Sequence, residues 1–261
     1  IPELVLVGAA FALLMLDLFL NEKQRVVTHV LAVASLVLVA ALLVAGVGGQ
    51  GTVLGGMFIR DNMADVLQIG ICVVTAIALL YGWPFLRERN LYKGEIAVLM
   101  LFAVAGMMLL TSAGSLVMVY LGLELLALCS YALVAIDRDS PLASEAAMKY
   151  FVLGALASGM LLYGMSLVYG ASGSIDLATI AANAADAEQR TMLLTGMAFM
   201  LAGIAFKFGA APFHMWVPDV YQGAPTPITL FIGSAPKLAA FAMAMRLLEI
   251  GRASCRERGC S

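Results

Sequence analysis

The sequence predicts an all-α membrane protein, a bundle of about eight transmembrane helices with the seventh broken. Three observations carry that prediction. Hydrophobic residues make up 62% of the chain and charged residues only 12%, with a mean hydropathy of +0.98. Soluble domains sit near roughly 45–50% apolar and about 25% charged, and still need a polar skin. Residues 26–59, 66–86, 96–123 and 150–175 contain no Asp, Glu, Lys or Arg. A run of about 20 apolar residues at ~1.5 Å each spans the ~30 Å hydrocarbon layer. Period-2 alternation, the mark of a membrane barrel, is absent. The same composition excludes disorder, a disulfide scaffold and a collagen, and the net charge of −2 offers no global field for nucleic acid.

Eight spans follow in order: about 3–20, 26–46, 63–83, 95–111, 114–136, 145–170, 191–211 and 227–248. The first lacks a basic flank and a small-residue cleavage site, so it reads as a span and not a signal peptide. The chain starts at Ile1, which predicts a processed or missing start. Asn21–Arg25 is a short polar turn, Val47–Asp61 a Gly-rich loop, and Pro84–Lys93 a basic loop. Asp137–Pro141 is a charged turn closed by proline. Ala171–Arg190 is acidic, with a weakly amphipathic stretch around Asp176–Ala187 that is expected along the interface. Loops after spans one, three and five hold Lys23, Arg25, Arg87, Arg89, Lys93 and Arg138, against Arg60 and Arg190 on the other side. Basic loops stay cytoplasmic, which predicts both chain ends outside.

The last twelve residues, Ile250–Ser261, break the pattern. They read IGRASCRERGCS, basic and polar after a long apolar helix. That string matches the in-frame translation of a short-read sequencing adapter. Residues 250–261 are therefore expected to be an artefact, without defined packing, following a gene fragment that ends near Glu249. Cys72 and Cys129 stand alone in spans and read as small apolar packers.

Motifs of soluble chemistry fail on context. Gly46-Val47-Gly48-Gly49-Gln50-Gly51 fits GxGxxG but leaves a helix for a loop, with no βαβ unit around it. His29 and His214 are far apart, without a Cys/His cluster. No nucleophile elbow or zinc-protease motif occurs. No cofactor or metal is expected in this chain.

The informative residues are charges inside spans, each costing roughly 2.5–3.5 kcal/mol at a helix centre. Glu124 lies near the middle of span five and Lys237, after Pro236, near the middle of span eight. Lys207 comes late in span seven, before Ala211–Pro227, a stretch with four prolines that is too apolar for a solvated loop. A broken helix packed inside the protein fits it, with freed backbone groups beside a polar cavity. Lys149, about one turn into span six, is read equally as snorkelling to the interface. His214 follows the break and is either a hydrogen-bonded structural group or a relay member. Asp17 reads as interfacial, and Gly154 with Ser158 as a packing face. Each buried charge has a bland alternative, a group held by a partner purely for packing. Together Glu124, Lys149, Lys207, Lys237 and His214 form a candidate proton relay. Desolvation favours a neutral amine and a neighbouring carboxylate favours the ammonium, so such a pair can switch. Glu124 and Lys207 are expected to face each other, directly or through one water. Lys237 is expected to point inward beside the break.

The block Phe206-Lys207-Phe208-Gly209-Ala210-Ala211-Pro212-Phe213-His214-Met215-Trp216-Val217-Pro218-Asp219-Val220-Tyr221, followed by Gly223-Ala224-Pro225-Thr226-Pro227, resembles the antiporter-like subunits of proton-pumping NADH:quinone oxidoreductase, respiratory complex I. It also suits Mrp cation/proton antiporters and membrane-bound hydrogenases. A second block, Tyr120–Leu125 with Lys149–Gly159, is similar to the subunit-N branch. The resemblance covers residues 1–249. It implies a fourteen-helix fold with two inverted five-helix repeats, of which this chain holds the first half. Residues 1–94 would be three N-terminal helices and 95–249 the first repeat, with helix seven discontinuous. It implies Glu124 as the helix-five glutamate paired with Lys207 of helix seven, and Lys149 and Lys237 as the lysines of helices six and eight. It implies an inner-membrane, multi-pass protein partnered by other membrane-arm subunits and the lipid bilayer. Quinone and NADH binding would belong elsewhere in the complex. An Mrp-type Na⁺/H⁺ antiporter subunit and a purely structural membrane-arm subunit remain the alternatives.

Overall fold

The computed structural model describes residues 1–21, 24–89, 91–183 and 189–256, with the backbone alone for 249–256. The described residues form ten α-helices and one β-hairpin. In chain order these are α1 (Pro2–Asp17), α2 (Arg25–Val44), β1 (Gly51–Val53), β2 (Phe58–Arg60), α3 (Asn62–Glu88), α4 (Gly94–Thr111) and α5 (Leu116–Val134). There follow α6 (Pro141–Ser172), α7 (Leu177–Asn183), α8 (Arg190–Phe208), α9 (Trp216–Gly223) and α10 (Thr226–Arg256).

Local chemistry sets the helix ends. Asp61 accepts from the Ala64 amide at 2.8 Å, Ser115 from Met118 at 3.3 Å and Ser140 from Ala143 at 3.3 Å. Each side chain satisfies a donor that the first turn leaves unpaired. Pro141 occupies the first turn of α6, where a missing amide costs nothing.

Seven of these helices are long and apolar enough to cross a membrane, namely α2 to α6, α8 and α10. The first of the eight expected spans, about 3–20, is α1, equally apolar but shorter than these seven. It has 16 residues and ends at Asp17, whose Oδ1 accepts the Thr28 hydroxyl at 2.8 Å. It packs on α2 and α4. The centre of the bundle is α4, which meets α1, α2, α3, α5 and α10 and is buried along most of its length. It crosses α5 in backbone contact, since a Cβ on Gly106 would lie 2.8 Å from the Gly122 carbonyl oxygen. A similar crossing joins α6 and α8, where a Cβ on Gly164 would lie 2.6 Å from the Gly196 oxygen. Small residues at these points let apolar helices approach without a hydrophobic drive between them.

The loops collect at two ends. At one, the Tyr92 hydroxyl donates to the Arg25 carbonyl at 3.3 Å and Arg138 pairs with Glu95 at 3.3 Å. Both chain segments belong to the basic side; Lys23 lies outside the described residues. At the other end the Gly-rich segment is more than a loop. Thr52 pairs with Ile59 in an antiparallel β1–β2 hairpin. The Ile59 amide then donates to the Ser112 carbonyl, and Leu177 to Gly114. This lattice holds α7, whose buried Leu177 and Ile180 turn inward; α7 packs against α10, so its apolar face meets protein. Residues 184–187 of the expected amphipathic stretch lie outside the described residues, as does any side-chain packing of 250–261.

Candidate functional site

The helix break is built as the proline pattern suggests. α8 stops at Phe208 because Gly209 takes φ 67, a left-handed cap that a side chain would strain. Residues 210–215 turn, and the chain resumes as α9, which packs on α6. The buried Trp216 indole returns to the Phe206 carbonyl at 2.9 Å and ties the two halves together.

Lys237 completes the break from across the bundle. Its ammonium donates to the carbonyls of Lys207 at 3.0 Å and Phe208 at 2.7 Å, two acceptors left open by the end of α8. The same nitrogen stands 5.2 Å from the Trp216 ring centroid. A cation at a helix C-terminus meets both the free carbonyls and the negative end of the dipole. Lys237 is half-buried and sits well inside α10, roughly 17 Å from its start.

Lys207 lines a cavity with Ser130, Tyr150, Trp216 and Pro236. Its volume is about 20 Å³, room for about one ordered water. The Lys207 nitrogen stands 5.8 Å from the Phe206 ring centroid. Glu124 lies on α5, half-buried, with Oε1 shielded from solvent and without a hydrogen-bond partner. Direct contact between Glu124 and Lys207 is not found among the described residues: no ion pair within 4.0 Å joins them. Lys207 nevertheless shares its cavity with Leu123, Leu126, Ala127 and Ser130 of α5, the helix that carries Glu124.

The other two candidates are on the surface of the described chain. Lys149 pairs with Glu145 at 2.8 Å and Asp219 at 3.1 Å, with 43% of its side chain exposed. That placement fits the snorkelling alternative and also links α6 to the break. His214 is exposed, in the turn before α9.

Several participants were not singled out by the sequence. Tyr131, Tyr150 and Trp216 form an aromatic wall, with centroid distances of 4.8 Å and 4.7 Å, leading from α5 to the break. The Tyr131 hydroxyl is buried without a partner. Arg246, 5% exposed, pairs with Asp61 at 2.9 Å and donates to the Thr111 carbonyl. As a charge within span eight it met the criterion applied to Lys237, and its place near the helix end hid it. Gln68, fully buried, donates to Met108, Thr111 and Ser112 beside it.

Comparison with known proteins places this architecture. Residues 113–255, more than half of the chain, match the family described as NADH:quinone oxidoreductase/Mrp antiporter, transmembrane region. An NADH-quinone oxidoreductase subunit N from Xanthomonas euvesicatoria pv. vesicatoria (strain 85-10) is 68% identical over 251 residues, which are 96% of this chain and 52% of that protein. A chain of respiratory complex I from Thermus thermophilus superposes with a TM-score of 0.80 at 32% identity, over 94% of this chain and 53% of its own length. A chain of the Mrp complex from Dietzia sp. DQ12-45-1b shares the fold alone, with a TM-score of 0.78 at 21% identity over 95% of this chain and 48% of that one. The chain spans about half the length of the curated relatives it matches. It belongs to the NADH:quinone oxidoreductase/Mrp antiporter transmembrane family.

Proposed function

We propose that this chain is the N-terminal half of a subunit N, a proton-translocating membrane-arm subunit of NADH:quinone oxidoreductase. It sits in the inner (plasma) membrane with its basic loops cytoplasmic and both described ends outside. Residues 1–94 are the N-terminal helices, 95–249 the first antiporter-like repeat, and 250–261 foreign to the gene. Its partners are the other membrane-arm subunits and the lipid bilayer, and quinone reduction and NADH oxidation take place in other subunits of the complex.

The observation that carries this reading is Lys237 seated on the open carbonyls of α8, beside a water-sized cavity lined by Lys207. An amine that loses a proton keeps two N–H bonds, enough for both carbonyls. The site therefore tolerates either protonation state without leaving an acceptor bare. His214 and Lys149, at the exposed side of the break, deliver protons; Lys207, Lys237 and the unpartnered Glu124 hold them inside. A shift of the Glu124 charge changes the cost of an ammonium at Lys207, which gives the switch.

The test is a complete complex reconstituted in vesicles, with NADH oxidation, acidification and sodium flux followed together. Glu124→Gln and Lys207→Ala complexes should assemble and lose most NADH-driven acidification. Sodium flux that disappears in the same variants would instead favour the Mrp-type reading. Normal acidification in both would leave only the structural role.

A further inference from the structure

A groove on the outside of the bundle, away from the relay, runs along α2. His29, Val33, Ala34, Val37 and Ala41 line it, with Leu80 of α3 on its other wall, and its volume is about 590 Å³. One end is polar. His29 is 6% exposed, and neither of its ring nitrogens has a hydrogen-bond partner. An imidazole buried without partners costs free energy, so a group that completes it is expected. Arg25 lies four residues earlier, on the same helix face, and its Nε is also buried without a partner. Trp83 and Tyr92 pack on the imidazole at 4.5 and 5.8 Å, the aromatic belt of an interface. Exposed Arg87 and Arg89 stand on the same side.

We propose that this groove holds one acyl chain of an anionic phospholipid, from the leaflet facing the basic loops, with its phosphate or ester oxygens received by His29 and Arg25. Length favours a lipid over a helix from a neighbouring subunit. From His29 to Ala41 the groove is about 18 Å long, close to one leaflet of a ~30 Å hydrocarbon layer. A partner helix would need a surface that continues through the second leaflet. Charge favours an anionic headgroup, since Arg25, Arg87 and Arg89 outnumber the carboxylates at this end, Asp17, which already accepts the Thr28 hydroxyl, and exposed Glu88. The remaining lining is apolar and suits hydrocarbon.

The complete complex, in nanodiscs, is exposed to phosphatidylglycerol or phosphatidylcholine carrying a photoreactive diazirine midway along one acyl chain. Adducts are then mapped by peptide mass spectrometry. Residues 30–41 should be labelled about fivefold more by the phosphatidylglycerol probe, the ratio expected for one cation at the headgroup. Arg25→Gln and His29→Gln should bring the two probes level. Ala34→Phe, at an exposed position that leaves the core untouched, should lower labelling by both. Equal labelling in the unaltered complex would overturn the proposal, as would a preference that survives Arg25→Gln and His29→Gln, or labelling that Ala34→Phe leaves unchanged. Absence of adducts, with crosslinks from Ala34 to another subunit, would assign the groove to a helix instead.

Discussion

Two cations on α10, Lys237 and Arg246, stand nine residues apart, roughly 14 Å along the axis, and are held in opposite ways. Each nitrogen of the Arg246 guanidinium has a partner. Asp61 neutralises it at 2.9 Å, the Thr111 carbonyl takes two of its donors at 3.0 and 3.2 Å, and Asp61 also caps α3. Lys237 touches carbonyls and an aromatic face, with no carboxylate in its hydrogen-bond set. A guanidinium does not release its proton in a protein, so the Arg246 cluster is a fixed rivet between α3, α4 and α10. An amine on two neutral acceptors can release one. The difference separates a group that fastens the bundle from a group that can change charge within it.

Replacing the rivet should have the largest effect on stability. Arg246→Met leaves Asp61 without its partner, a loss of about 3 kcal/mol once the 40% exposure of Asp61 is allowed for. Thermal unfolding of the purified complex in detergent should register it, while pumping per assembled complex stays normal. Next comes the helix crossing. Gly106→Val drives a side chain into the Gly122 carbonyl and Leu126 amide, both 2.8 Å from the new Cβ. The expected destabilisation is about 2 kcal/mol, in the same assay. Arg246→Lys keeps the charge and loses the fork that grips Thr111, at about 1 kcal/mol. If it matches Arg246→Met, geometry and not charge makes the rivet. Arg138→Ala removes an exposed ion pair with Glu95 and should shift stability by no more than about 0.5 kcal/mol.

Much of the scaffold is legible in the residues. Charge-free runs give the seven long helices, because span length and hydropathy are local properties. The prolines and Gly209 give the break for the same reason. What escapes depends on contacts between distant segments. The hairpin hides in a Gly-rich stretch, because its strands are only three residues each and are completed by Ser112 and Gly114. α1 reads longer than it is, because nothing in its hydropathy marks the Asp17–Thr28 bond that ends it. Glu124 and Lys207 stand out in the sequence as charges within apolar runs, and they lie on α5 and in the last turn of α8. Their lack of direct contact is a matter of how α5 and α8 are placed in the bundle, which no local pattern records. The Arg246 partners come from α3 and α4, far away in sequence, so only the tertiary structure distinguishes this cation from an interfacial one.

Lys237 carries the account, and proton pumping by the complete complex in vesicles tests it most directly. Lys237→Ala and Lys237→Arg should both assemble to normal yield. The alanine variant has no exchangeable group and the arginine variant one that stays charged. Pumping per NADH oxidised, followed by the quenching of a pH-sensitive dye, should fall sharply in both. An alanine variant that assembles fully and pumps at the unaltered rate would contradict a place for Lys237 on the proton path.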